Sequence, residues 1–576
     1  MAIILNKGRV TSTPSVVDRT TYTRPSDWTD LPALSQGDEK VYLLVNVGEK
    51  GGNYMRLKFQ GDYTVNWGDG TANTNHNSNT DADHEFLWSN APSSSLTSQG
   101  FRQVIVTVTA QSGSQLTHWN LATSPYVPTG TGYNGSVNHC VCRVKMAGTN
   151  FTSLQSAVRF YKGLIEFEYV GTNNVNDISY MFHTCQALVK VGSFDTSTAQ
   201  NMNNLFNGCG SLISVPQFDL SSATNVTYMF HACYVIYDIP KMTLPSTVTN
   251  LQYTFRHCYA LQEVPFTNLN HVTNFYSTFA STSIREFNFS LNSATSLSQM
   301  FYQCSTIQTV KFHNIPVGQL TDLSYAFGYC YSLTYIKPFD TSNVTNFRNC
   351  YSYLKFDIDL SWIDTSNGTN FESMFEGNAG ITDASWLNIT TSAVNVIELF
   401  SVCTRLNKYP TMDLTNCTSL QATFSTNKQM IEPPTLNNAS SIVNCMQTFQ
   451  NCNNLKKAVP SSVLSGQLTS VREMYYNCYN IESVPAYDLS AIVAYPNSYR
   501  FCYIASGLKE SLITTHKSQT SYANCGLSRT AIVDIFNNLQ TNADGRTLYV
   551  GSNPGSPQLT ASDLLIATNK GWTVSS

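Results

Sequence analysis

Sixteen cysteines are the first residues of this chain that could do chemistry. Thiols can hold zinc, act as thiolate nucleophiles or oxidise to staples. Most of them follow one pattern, an aromatic residue, two others, then Cys. It reads Phe182…Cys185, Phe206…Cys209, Phe230…Cys233, Phe255…Cys258, Phe301…Cys304 and Phe327…Cys330. It continues as Phe347…Cys350, Phe400…Cys403, Phe449…Cys452, Tyr475…Cys478, Tyr499…Cys502 and Tyr522…Cys525. Phe279…Thr282, Phe375…Asn378 and Phe424…Asn427 keep the ring and replace the thiol, and a weaker register sits at Phe160…Gly163. Because Thr and Asn stand in for Cys, the position calls for a small hydrogen-bonding group and not a bridge partner. Free, buried thiols are therefore expected. Cys140, Cys142, Cys417 and Cys445 fall off this register.

Other reactive groupings are sparse. His139-Cys140-Val-Cys142 offers three metal ligands without a fourth nearby, so no metal site is expected. Gly130-Thr-Gly132-Tyr-Asn-Gly135 has the spacing of a dinucleotide loop, but no helix pattern opens at its glycines. Asp69, in Gly68-Asp69-Gly70-Thr71, could be a calcium ligand or a catalytic carboxylate, and reads best as a turn cap. No Ser/His/Asp set or carboxylate pair stands out, so neither a catalytic residue nor a cofactor is expected. Carboxylates on successive coils could still meet without sequence proximity, which keeps a glycan-degrading enzyme as a third reading.

The more useful constellation lies within and just after the ring-x-x-Cys motif. His183, His231, Arg256, His257, Tyr302, Tyr329 and Arg348 fall inside it, and Tyr234, Tyr259, Tyr331, Tyr351, Tyr479 and Tyr503 follow the Cys. Equivalent positions on stacked coils form columns, and Tyr, His and Arg together suit sugar faces or protein hot spots.

These residues recur about every 24 residues from Cys185 to Cys525, within the window of leucine-rich repeats. Apolar residues follow at fixed offsets (Leu188 and Val191, Leu212 and Val215, Leu261 and Val264), and turns of the form Phe194-Asp-Thr-Ser197 close the units. Such spacing suits a coil with a short strand, a turn and a second buried edge. One coil cannot bury its apolar side alone, so the coils must stack. Charged residues are only 12%, about half the usual share, while hydrophobic residues reach 42%. The chain can build a core and clothe it in neutral polar groups. A net charge of −4 argues against a nucleic-acid binder or a polybasic membrane binder. The units resemble the BspA-type leucine-rich repeat of bacterial and phage surface proteins, most closely around Cys233–Cys258 and Cys330–Cys350. The resemblance implies a mainly β solenoid of about 16 coils over 151–525, and with it surface display and binding.

The two ends differ. In 526–576, Ser528 precedes a helical spacing of Ile532, Ile535, Phe536 and Leu539, then a strand at Arg546–Val550 and a second helix from Thr560. This predicts a short α/β C-terminal cap. At the front, Tyr63–Trp67, Gly68-Asp-Gly-Thr71, His84-Glu-Phe86 and the strand Phe101–Val108 resemble a PKD-like β-sandwich over 38–112. Together with Tyr22–Leu34 this region also resembles the N-terminal portion of marine phage tail-fibre-like proteins. Residues 1–37 read as an extended attachment arm ordered by a partner, and 113–150 as degenerate capping coils.

The apolar run Ala2–Leu5 is too short for a secretory signal, and no run is long enough for a membrane span. The expectation is a non-enzymatic phage virion fibre or surface-decoration protein. Its N-terminal arm would meet other virion proteins and its solenoid a host surface glycan or protein, with no nucleic acid, no membrane insertion and a possible homo-oligomer. A bacterial cell-surface adhesin is the alternative.

Overall fold

The computed structural model describes residues 22–121, 140–171, 174–492, 500–541 and 545–576. Residues 1–21 of the expected arm, Gly130–Gly135, His139 and Tyr499 lie outside them. The chain forms two compact units, Met1–Ile284 and Arg285–Ser576.

The first unit opens with strands β1 (Lys40–Val47), β2 (Tyr54–Gln60), β3 (Tyr63–Asn66), β4 (Thr74–His76), β5 (Asp81–Glu85), β6 (Arg102–Ala110), β7 (His118–Leu121), β8 (Val141–Ala147), β9 (Glu166–Val170) and β10 (Lys190–Val191). One sheet runs β4-β3-β6-β1-β8-β9-β10, the other β5-β2-β7. Val41, Leu43, Val45 and Val47 of β1 and Val104, Val106 and Val108 of β6 are the buried alternate residues of one face, and Leu44 on the other face of β1 is buried too. Phe59 of β2 packs on Tyr63 of β3 at 5.2 Å and stacks on Trp119 of β7 at 5.5 Å, joining the two sheets. At the Gly68 turn φ is +76°, and a Cβ there would meet the Ile105 carbonyl oxygen at 2.2 Å, so only glycine fits.

Two expectations change here. Residues 22–37 do not stand free: Trp28 is buried against Leu44 and Cys142, and the Thr29 N–H donates to Gln103 Oε1 at 2.7 Å. The apolar indole finds a pocket on the chain's own sheet, so this part of the arm belongs to the sandwich. The described residues of 113–150, expected as degenerate capping coils, join both sheets. Strand β7 pairs antiparallel with β2. Strand β8 pairs antiparallel with β1 and parallel with β9, which makes it a sandwich strand and the first solenoid rung at once.

From β9 onward the coils carry few strands. Their main ladder is built from turns instead. Ile178, Tyr180, Phe182 and Thr184 donate their N–H groups to Asn201, Asn203, Leu205 and Asn207 on the next coil, at 2.7–3.0 Å. The intervening Met181, His183 and Cys185 donate three residues back along their own coil. In the second unit Phe347, Asn349, Tyr351 and Tyr353 bond Asn370, Glu372, Met374 and Glu376 in the same way. Half of the amides thus pair between coils and half within them. This geometry places the residues two before and two after each buried ring at positive φ, for example Tyr228 (58°) and Ala232 (57°), or Glu398 (57°) and Val402 (60°).

The rings stack as a column. In the first unit Phe182, Phe206, Phe230, Phe255 and Phe279 lie 5.2–5.7 Å apart and within 13° of parallel. In the second, Phe301, Phe327, Tyr351, Phe375, Phe400, Phe424, Phe449 and Tyr475 stack at 5.5–6.1 Å and within 19° of parallel. Each pair adds about 0.5–1.5 kcal/mol beyond burial. All sixteen cysteines are free. In the ladder position the thiol donates to the carbonyl of the preceding ring: Cys209 to Phe182 at 3.0 Å, Cys258 to Phe230 at 3.1 Å, Cys452 to Phe424 at 3.0 Å. Asn427 Nδ2 makes the same bond to Phe400 at 2.8 Å, which is why Asn can replace Cys.

Three registers shift. Cys185 bonds the Val158 carbonyl, so the first rung is Val158 and not Phe160. Tyr351, not Phe347, continues the ring column, while Phe347 stacks on Phe371 at 5.6 Å in a separate column. Tyr475 and Asn477 donate to Phe501 and Tyr503, which puts Cys502 itself in the ring position. At each site a ring-x-x-small sequence occurs a few residues off the repeat and mimics it. The corrected register also places the stray thiols. Cys350 precedes the ring, Cys445 precedes it by four, in the column of Phe347 and Phe371, and Cys417 by seven; all three are buried. Among the described residues the solenoid has about 18 turns, against about 16 expected, because strands at the sandwich and the cap continue the stack.

The second unit ends in helix α1 (Arg529–Asn538), capped by the Ser528 side chain, and helix α2 (Ala561–Thr568), capped by a Thr560–Asp563 box. Arg529 clasps Asp563 through two 2.8 Å bonds. Strands Thr520–Ser521, Thr547–Tyr549 and Thr573–Ser575 pair in parallel beneath them.

Candidate ligand-binding face

The turn ladder decides which side chains emerge. The residues two before, one after and two after each ring leave the same arc of the coil. In the first unit this arc carries Arg159 and Phe160, Tyr180 and His183, Tyr228 and His231, then Tyr253, Arg256 and His257. Tyr228 and Tyr253 lie 4.7 Å apart, His231 lies 5.7 Å from His257, and the Arg256 guanidinium covers Tyr253 at 5.0 Å. Arg159 sits between Phe160 (4.5 Å) and Tyr180 (4.8 Å), with His183 edge-on to both rings. Just past the thiol, Tyr234 (49% exposed) and Tyr259 (53%) stack at 5.6 Å.

In the second unit Tyr302 meets Tyr325 at 5.4 Å and Tyr329 at 5.6 Å, and Tyr329 stacks on Tyr353 at 4.4 Å. Arg348 lies over Tyr325 and pairs with Glu372 at 2.8 Å. Lys355 covers Tyr331 at 4.8 Å, Tyr503 stacks on Tyr476 at 5.7 Å, and Tyr479 is exposed. Tyr351 must leave the set. It is 0% exposed because it is a rung of the core column.

Sequence spacing therefore gathered more than half of the face but missed Arg159, Phe160 and Tyr353, and with them Tyr180, Tyr228, Tyr253 and Tyr325. The signal of these last four was present as a repeated Tyr-x-Phe ending in the ring: Tyr180-Met-Phe182, Tyr228-Met-Phe230, Tyr253-Thr-Phe255, Tyr325-Ala-Phe327.

Burial, helped by neighbouring cationic groups, pushes His183 and His231 down to about 4. His257 is lowered too, by burial and then by Arg256. These imidazoles are neutral at pH 7 and present one donor and one acceptor each. Burial pushes the ladder thiols upward, Cys452 to about 12, so they are not nucleophiles. Asp69 is equally closed: burial opposes its charge, but bonds from Thr71 and His84 outweigh it and hold its carboxyl low. No group of three or more His, Cys, Asp and Glu able to hold a metal occurs among the described residues.

One feature of the face is costly. A left-handed backbone disfavours any side chain by about 1–2 kcal/mol, and bulky residues are rare there. The chain uses Gly208, Gly377, Asn451 and Asn477 at some of these positions. At others it uses Tyr228, Tyr253, His257, Tyr325, Tyr329 and Tyr353. The fold alone does not ask for those rings.

Comparison with known proteins matches the family described as "Mycoplasma protein of unknown function, DUF285" over residues 152–267, 176–294, 295–409 and 384–486. Among solved structures, a leucine-rich repeat protein from Bacteroides ovatus is 15% identical, covering 77% of this chain and 85% of that one, with a TM-score of 0.26. One from Eubacterium ventriosum is 17% identical, covering 60% and 83%, with a TM-score of 0.30. No curated protein matches.

Proposed function

The chain belongs to the DUF285 family, and from the face it carries we propose that it is a non-enzymatic display protein whose solenoid adheres to a surface. Tyrosine and histidine kept at left-handed positions carry this reading, because backbone strain retained against a cheaper alternative marks function. The half-exposed rings, neutral imidazoles and arginines offer flat apolar area with fixed hydrogen-bonding edges, which suits glycans and protein hot spots. The thiols and Asp69 are internally satisfied, which supports binding over chemistry.

The setting we propose is a phage virion, with the protein as a fibre or surface decoration. It attaches through its N-terminal region, which we read as a PKD-like sandwich joined to an attachment segment. Low charge and the resemblance of the N-terminal region to tail-fibre-like proteins support this. Mass spectrometry of purified particles tests the location: absence of the chain from virions, with recovery from bacterial envelopes, would replace it with the cell-surface adhesin. Adhesion is tested by binding the purified chain to host cells before and after Tyr228→Asn, Tyr253→Asn and Tyr329→Asn. Asparagine fits the left-handed backbone, so the coils persist while the rings go. Loss of adhesion by the folded triple variant is expected, and unchanged adhesion refutes the assignment of this face.

A further inference from the structure

Within the first unit, the arc from three residues before each ring to two after it contains no carboxylate on any coil from 155 to 281. Its cations are Arg159 and Arg256, and neither has an ion-pair partner among the described residues, whereas Arg348 in the second unit is paired with Glu372. The same arc in the second unit holds Glu372, Glu376, Glu398 and Glu473 beside Arg348, Arg472 and Arg500. The two units therefore present the same fold surface with different electrostatic character, cations alone in the first and mixed charge in the second. The guanidinium groups of Arg159 and Arg256 are already held over aromatic rings, at 4.5–5.0 Å, and need little ordering to meet an anion.

Resting on the adhesion reading above, we propose that the first unit's arc binds an acidic polysaccharide, its uronate carboxylates meeting Arg159 and Arg256 and its sugar rings meeting the Tyr and His side chains between them. Charge complementarity selects this partner. The two arginines lie four coils apart, roughly 19 Å at the usual ~4.8 Å per coil. Two isolated cations at that separation suit a chain in which neutral sugar surface separates the carboxylates that are used. A single-stranded nucleic acid is bound through a cationic groove along its backbone, which this arc lacks, whereas a uronate polymer can use two of its carboxylates and rest its other sugars on the Tyr and His side chains. Tyr180, His183, Tyr228 and His231, on the coils between the arginines, supply ring edges, hydroxyls and neutral imidazole donors for sugar hydroxyls.

The test uses the full chain on immobilised polygalacturonate, on the same polymer with its carboxyls methyl-esterified, and on oligo(dT). Retention on polygalacturonate, at least tenfold weaker on the ester, is expected. Arg159→Gln and Arg256→Gln should each weaken binding about fivefold and flatten its salt dependence, while Lys457→Gln, an equal charge change elsewhere, leaves it unchanged. Equal binding to the ester, indifference to both arginine variants, or retention on oligo(dT) alone overturns the proposal. If the ester binds equally and Tyr253→Asn abolishes that binding, the acidic ligand is wrong and the adhesive face stands.

Discussion

Val402 gives the cleanest measurement of the backbone on which the solenoid rests. It lies two residues past the ring Phe400, at φ 60°, 39% exposed, and its N–H donates to the Ser425 carbonyl at 2.7 Å. A β-branched residue there bears a left-handed cost of about 1–2 kcal/mol. Its burial returns at most about 1 kcal/mol, a part of the ~1.5–3 for a fully buried valine. Val402→Asn removes most of the strain, since Asn tolerates this conformation, and should stabilise the coil by about 0.5–1 kcal/mol. Val402→Ala keeps the strain and loses the contacts, so it should sit about 1 kcal/mol below Val402→Asn. Native-state exchange of the amide at position 402 reads the difference directly, as about fivefold slower exchange in the Asn variant than in the Ala variant. At an ordinary helical or extended position Asn would be no better than Ala. Equal exchange in the two variants would therefore refute the alternating turn ladder, and with it the argument that the tyrosines on this arc are kept at a cost.

Three further outcomes follow from the geometry. Burial alone lowers His516 from 6.5 to about 4, beside the Tyr522 hydroxyl at 2.9 Å. The unfolded chain then binds more protons between those values, so stability is complete above pH 6.5 and falls by about 3 kcal/mol as pH drops to 4. Thermal melts across that window check it, and a melt flat from pH 7 to 4 contradicts it. Cys452→Asn should be close to neutral, because Asn427 makes the equivalent bond, whereas Cys452→Val orphans the Phe424 carbonyl and costs about 1–3 kcal/mol by urea titration. Trp28→Ala should cost about 3–5 kcal/mol in the first unit if the indole is core, and almost nothing if it belongs to a free arm.

Much of the solenoid was legible because a buried column needs the same side chain once per coil, and Phe-x-x-Cys declares it. Where the register slipped, the ring motif was read without the residue that sets the turn. Five residues before each ring stands an Asn, Asp or Ser. Its side chain accepts the N–H two residues on, as Asn346 does from Arg348 at 3.3 Å and Asn370 from Glu372 at 3.1 Å. Counting from Asn346 lands on Tyr351, not Phe347. The sandwich edge was harder to read. Nothing local in Val141–Met146 says that one side of the strand runs antiparallel and the other parallel. The left-handed positions were hidden for a different reason: propensity argues against Tyr, Val and Glu there, and only the inter-coil hydrogen bonds reveal what holds them.

Strand β8 has one further consequence. Because it closes the sandwich on one side and seats the first rung on the other, the first unit's stack begins on a finished surface, and in the second unit helices α1 and α2 cover the last strands. Number of rungs is then independent of how either end is made. Duplicating one 24-residue segment, such as 206–229, should lengthen the aromatic face by a single step of ~4.8 Å without exposing a raw sheet edge. Reach becomes a quantity that recombination between repeats can tune, one coil at a time.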